Sequence, residues 1–143
     1  LPLIQHSLNM MLDFRRVLFR SLPLIQHSLN MMLDFHQQGR ISLERVIEKM
    51  CHAPAICFEV KDRGYLREGY FADMVLLDLN KSYTVTGAPS PNANVLYKCG
   101  WSPLEGYTFK GAVDTTFVNG FAVYRQGSFN ESQRGMRLEF ARK

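Results

Sequence analysis

The sequence has little cysteine, a single tryptophan and no long apolar run, and these shortages narrow the classes open to it. Cys51, Cys57 and Cys99 are an odd set without regular spacing. That argues against a disulfide framework and fits reduced thiols in a cytosol. There is no Cys-x-x-Cys pair and no second ligand cluster. Cys51-His52 with Cys57 is therefore read as core rather than as a zinc site, with Cys51 on the apolar face of a helix. No apolar run reaches the ~18 residues that a bilayer span needs. Leu1–Phe14 is broken by Gln5, His6, Asn9 and Asp13, and it lacks a signal peptide's basic start and small-residue cleavage site. The expectation is a soluble, cytoplasmic protein without membrane partners.

Clustered charge is also absent. The net charge is +4, but the lysines and arginines are scattered, with no stripe and no basic-aromatic alternation. A nucleic-acid partner is not expected. What is present is ordinary for a globular protein: 46% hydrophobic and 21% charged residues, too apolar for disorder. A chain of 143 residues suffices for one modest domain.

One repeat stands out. Leu1–Phe14 recurs letter for letter as Leu22–Phe35. Structural repeats diverge and occur many times; this one is identical and occurs twice. The spacer Arg15-Arg16-Val17-Leu18-Phe19-Arg20-Ser21 is the translation of a widely used sequencing-library adapter. Residues 1–21 are therefore expected to be an assembly artefact, a duplicated segment plus spacer. The rival is a genuine tandem amphipathic helix. Residues 1–21 carry three arginines and one aspartate; without them the net charge is +2, and the basic character says little about partners.

The stretch Gly64–Leu79 organises the rest. It reads as strand, turn at Arg67-Glu68-Gly69, then a strand from Ala72 to Leu79, buried on both faces and closed by Asn80-Lys81. Before it the pattern is helical. Pro23 suits a first helical turn, and Ile25, Leu29, Met32 and Leu33 recur at helical spacing. His27 in that helix reads as structural rather than as a ligand or acid-base group. Gly39 ends the helix, Ser42 caps a second, and Glu44 lies in its first turn. Leu43, Val46, Ile47, Met50 and Cys51 form the second helix's apolar face. Pro54 stops it, with a short helical piece through Phe58.

After the pivot the pattern is strand-like. Lys81–Ala93 reads as a loop containing the β-rich Tyr83–Thr86. Tyr97–Gly106 reads as a packed turn anchored by Trp101. Cys99 beside Lys98 is read as a small buried residue rather than a reactive thiol. Tyr107–Lys110, Ala112–Val118 and Phe121–Arg125 are strands, with Asn119-Gly120 as a hairpin turn. The tail from Ser128 reads as a solvated extension.

Several of these stretches together resemble the dihydroorotases, cyclic-amide hydrolases of the amidohydrolase superfamily. Gly-x-Leu-x-x-Gly-x-x-Ala-Asp-x-Val-x-x-Asp over Gly64–Asp78 is shared with allantoinase, dihydropyrimidinase and relatives. Lys98-Cys99-Gly100-Trp101-Ser102-Pro103-Leu104-Glu105-Gly106 is more specific to dihydroorotases. Pro23–Leu29, His52-Ala53-Pro54-Ala55 and Thr116–Gly120 complete the match, which covers about residues 22–140.

The resemblance implies an α/β fragment: the last helices of a (β/α)8 barrel followed by part of an antiparallel β-sandwich. The boundaries are 1–21 for the duplicated segment, 22–58 for the terminal barrel helices and 59–143 for the β-sandwich part with its polar tail. It implies a parent enzyme that uses zinc, usually with a carboxylated lysine between two metals. An aspartate at the end of the last barrel strand moves the proton. The substrate is dihydroorotate, interconverted with carbamoyl aspartate in pyrimidine synthesis. Homo-oligomerisation is compatible with this reading.

The chain departs from that pattern in having no His-x-His and no Asp-His-x-x-His. His6, His27, His36 and His52 match no ligand position. The metal-binding strands are expected upstream of Leu1, so no catalytic or metal-ligating residue is assigned here. The fragment is expected to be inactive and to bind no zinc. Leu22-Pro23 is placed near the substrate loop without an assigned contact. The faces of Leu29, Met32, Val46 and Met50 are expected to lie uncovered. Alternatives are a non-catalytic scaffold of the same fold, another cyclic amidohydrolase, and an independent helix-plus-β binding module.

Overall fold

A computed structural model describes residues 23–141. The duplicated segment of residues 1–21 lies outside the described residues. A 3-10 turn, Ile25–His27, leads into helix α1 (Ser28–Gln37). Helix α2 (Leu43–Ile47), a π turn (Glu48–His52) and helix α3 (Ala53–Cys57) follow as one helical run. Strands β1 (Met74–Thr84), β2 (Thr108–Val118), β3 (Phe121–Arg125) and β4 (Ser128–Phe129) form one antiparallel sheet in sequence order.

The helix ends obey local chemistry. Gly39, at φ +71°, closes α1: its N–H bonds to the His36 carbonyl and that of Arg40 to the Phe35 carbonyl, both at 2.9 Å. This is the paired terminal pattern that glycine permits. Ser42 caps α2, its Oγ accepting from the Arg45 N–H at 3.3 Å. Pro54 does not stop the helix as expected. It has no N–H to give, and its ring crowds the carbonyl one turn back. The widened π turn before it, where the Ala53 N–H reaches the Glu48 carbonyl, accommodates the ring, and the helix runs on to Cys57.

Helix α1 rests on β2 at Gly111. A Cβ there would stand 3.4 Å from Leu33 Cδ1, and the backbone has φ +93°. The Asn30 amide donates to the Gly111 carbonyl at 3.1 Å. The two strands expected on either side of Gly111 are thus one strand with an irregularity, opposite a register shift between Asp78 and Ser82. The 3-10 turn buries His27 and α1 buries Asn30, Leu33 and Asp34, together a largely polar face, while Ile25 is 87% exposed.

The pivot differs from its expectation. Residues 64–73 form turns and bends rather than a first strand. The turn at Arg67-Glu68-Gly69 does form, with the Tyr70 N–H on the Arg67 carbonyl at 3.1 Å and Gly69 at φ +83°. Side chains, not a ladder, hold this segment. Arg63 pairs with Asp73, donates to Asn119 Oδ1 at 2.9 Å, and lies 4.2 Å over the Phe71 ring. Strand β1 is not buried on both faces. The sheet order puts it at an edge, and Val75 and Leu76 are 43% and 52% exposed. It also continues through Asn80-Lys81 to Thr84.

The hairpin at Asn119-Gly120 forms, both residues having positive φ. Gln126-Gly127 makes a second one, so Ser128-Phe129 form the short strand β4, while the residues from Ser128 to Ala141 are exposed, as expected of a solvated tail. The chain then returns to the helices: the Lys61 N–H meets the Glu139 carbonyl at 3.0 Å and the Ala141 N–H the Glu59 carbonyl at 2.8 Å.

Of the faces expected to be bare, Val46 is buried and Leu29, Met32 and Met50 are half-buried. Exposed apolar side chains lie elsewhere, at Ile56, Phe58 and Leu66 among others. The observed architecture is a small α/β unit with one antiparallel sheet.

Candidate functional site

Polar contacts of long sequence separation converge at the start of α1. Gln26 is their hub. Its backbone N–H donates to the Tyr97 hydroxyl at 2.7 Å. Its Nε2 donates to the Asn94 carbonyl at 2.7 Å and the Tyr83 hydroxyl at 3.0 Å. Its Oε1 accepts from the Leu96 N–H at 2.8 Å. One side chain thereby joins the helix, β1 and the segment 94–97. Beside it His27 is wholly buried between the rings of Tyr83, Tyr97 and Phe109, and both ring nitrogens lack a partner. Burial lowers its pKa below the usual histidine value, favouring the neutral ring.

Asn94 closes the loop that leads here. Its amide donates to the Thr84 carbonyl at 2.6 Å, and its Oδ1 accepts from the Thr86 N–H at 2.9 Å. The Lys98–Gly106 run packs onto that loop. The Ala88 N–H bonds to the Gly100 carbonyl at 2.8 Å and the Gly106 N–H to the Val85 carbonyl at 2.9 Å. Within the run, Ser102 Oγ accepts from the Leu104 N–H at 3.2 Å, and Glu105 Oε1 accepts from the Ser102 N–H at 3.1 Å. The Glu105 carboxylate fills the space where Gly87 would carry a Cβ. Ser102 is the buried residue of this turn; Trp101 is 47% exposed and does not anchor it as expected. The reason is local: the turn is held by its own polar groups and by backbone pairing, not by an aromatic plug.

A cleft of about 590 Å³ opens beside the hub, lined by Gln26, Asn30, Tyr83, Tyr124, Phe129 and Arg134 among others. It lies over the sheet between the start of α1 and the chain after β4.

The remaining sequence candidates are dispersed. His36 Nδ1 lies 3.1 Å from the Ile41 carbonyl, and His52 stacks on Tyr65 at 4.2 Å. His6 falls outside the described residues. Cys51, Cys57 and Cys99 are all exposed, which corrects the core reading of Cys51 and the buried reading of Cys99. Cys51 lies within the π turn, none of whose residues is buried. Cys99 lies on the rim of its turn, 3.7 Å from the Trp101 carbonyl. Among the described residues no three His, Cys, Asp or Glu side chains converge on a point that could hold a metal ion. These residues therefore do not fit a zinc site. No described helix is long and apolar enough to cross a membrane.

The sequence motifs contain Gln26 and Ser102 without giving either a role, and nothing in the sequence singles out Asn94. Glutamine and asparagine between apolar residues carry no periodic signal, and the partners of Gln26 lie 57 to 71 residues away.

The chain matches the amidohydrolase family over residues 2–123. A dihydroorotase from Pyrococcus horikoshii is 31% identical over 101 residues, covering 71% of this chain and 23% of that enzyme. An allantoinase from Desulfitobacterium hafniense is 32% identical over 81 residues, covering 57% of this chain and 17% of that enzyme. Among solved structures, the L-hydantoinase (dihydropyrimidinase) of Arthrobacter aurescens superposes with a TM-score of 0.64 at 35% identity, covering 73% of this chain and 22% of that one. The chain thus spans about a quarter of the length of the curated relatives it matches.

Proposed function

Since the chain belongs to the amidohydrolase family, we propose that it is part of a dihydroorotase, a zinc-dependent hydrolase acting on the cyclic amide dihydroorotate and forming carbamoyl aspartate. The likeness to dihydroorotases supports this reading, and the Lys98–Gly106 run is the observation that carries it. In this reading residues 22–58 belong to the end of a barrel and 59–143 to an adjoining β domain. The described residues do not hold zinc. Their part is to fix the Lys98–Gly106 turn, through Ser102, Glu105 and the Gln26 hub, against the helix that the barrel presents. Taken alone, the 143 residues are inactive.

Two measurements test this. The full chain, supplied with zinc, should give no turnover of dihydroorotate; metal-dependent turnover above background would overturn the assignment of the chemistry to other residues. The coding sequence preceding the codon for Leu22 should contain His-x-His and Asp-His-x-x-His, the donor sets that bind catalytic metal. A natural open frame there without either motif means a scaffold instead of an enzyme. A second reading, a hydantoin-type or allantoin-type ring as substrate, is favoured by the L-hydantoinase superposition. Turnover of such a ring but not of dihydroorotate by the protein encoded at the intact locus would select it.

A further inference from the structure

A fully buried histidine with both ring nitrogens unpartnered needs an explanation, because most buried polar atoms have partners. His27 lies where three segments meet. Tyr83 of β1 approaches at 6.2 Å between ring centroids, Tyr97 at 5.9 Å edge-on, and Phe109 of β2 at 6.2 Å in a stacked arrangement. The residue before it, Gln26, carries the bonds that hold residues 94–97 to α1. We propose that His27 is an acid-sensitive latch: its neutral ring keeps the 94–97 segment seated on the start of α1, and protonation of the ring releases that segment.

The surroundings give the latch its direction. The titratable groups facing the ring are two phenols, Tyr83 and Tyr97, both held neutral by burial, which raises their pKa values. Strand β2 presents Phe109. Asp34, two turns along the same helix, is engaged by Tyr107 and Gln38. Among the described residues no carboxylate bonds to the ring, so an imidazolium here has a buried charge and no acceptor. The ring can recover solvation by opening the side that carries Tyr97. That side is a loop held by a handful of hydrogen bonds, whereas Phe109 and Tyr83 belong to the paired strands β1 and β2. Moving Tyr97 breaks its bond from the Gln26 N–H, and the Leu96 N–H bond to Gln26 Oε1 is next to it.

The test is hydrogen exchange of the full chain by NMR, corrected for the intrinsic effect of pH on exchange. Between about pH 7.5 and about pH 5, opening at the Gln26 and Leu96 amides should rise about tenfold in the natural sequence and stay within about twofold in His27→Phe. An equal rise in both proteins, or none in either, overturns the latch. Should His27→Phe not fold, the imidazole resonances of the natural sequence decide. His27 must titrate below the usual histidine value, and Leu96 must lose protection over the same range. A His27 that titrates at or above the usual histidine value, or that takes up its proton while Leu96 stays protected, is equally contrary.

Discussion

The Tyr107 hydroxyl donates to Asp34 Oδ2 at 2.7 Å, tying the last turns of α1 to the start of β2. Asp34 also accepts from Gln38 at 2.6 Å, so one buried carboxylate serves the helix and the sheet. Desolvation, reinforced by this bond and by the charge of Asp34, pushes the Tyr107 phenol up to about 12. The folded pKa lies above the unfolded value of 10.0, so the contribution to stability is complete below pH 10.0 and lost as pH rises through about 12. Urea unfolding across that range should show the loss. Tyr107→Phe should remove it and lower neutral-pH stability by about 1–2 kcal/mol.

Arg63 is the clamp between the turn-rich segment and the β2–β3 hairpin. It serves Asp73 and Asn119, and Asp73 Oδ1 also accepts the Asn119 N–H at 2.8 Å. Arg63→Ala should destabilise by about 2–3 kcal/mol, because it strips a largely buried network of its donor. Arg63→Lys should recover only part, since a lysine cannot bond both partners in the same fork. Chemical denaturation of the three proteins checks the order.

Gly64 and Gly127 share a positive φ but not a setting. A Cβ on Gly64 would stand 2.5 Å from Ala55 Cβ and 2.9 Å from the Cys51 carbonyl oxygen; at Gly127 nothing lies within 4 Å. Gly127→Ala should cost about 1 kcal/mol for backbone strain alone. Gly64→Ala should cost about 3 kcal/mol or more, because the loop must also move off α3. Thermal unfolding separates the two.

All three thiols should react with a disulfide reagent in the folded chain, since Cys51, Cys57 and Cys99 are exposed. Cys51 should be the slowest, because partial burial raises its pKa and lowers its thiolate fraction. Peptide mapping after a short exposure to reagent reads the order. A first reaction at Cys51 would contradict it.

The local signals in the sequence were the ones that local structure obeyed. Gly39, Ser42, the turn at Arg67–Gly69 and the Asn119-Gly120 hairpin all stand where their own chemistry puts them. Failures came where tertiary contact outweighs pattern. The apolar periodicity of Ile25, Leu29 and Leu33 pointed to an apolar stripe, yet α1 buries Asn30 and Asp34 as well, because Gly111 and Tyr107 offer polar partners there. The run Ala72–Leu79 looks doubly buried because residue type cannot report that a strand is at a sheet edge. The family was legible from the motifs; the Gln26 hub was not, since no local pattern announces a contact across some seventy residues.

The strap formed by residues 139–141 against 59–61 turns the described chain into a nearly closed circuit. The polypeptide leaves the helices at Glu59, traverses every strand, and comes back to the same spot. Tension applied at the carboxyl terminus therefore arrives first at the exit of α3, and the hairpins β2–β3 and β3–β4 sit inside the circuit, shielded from it until the strap peels. Cutting the chain after Asn130 would leave the sheet's ladder intact while freeing the span between α3 and β1 to swing.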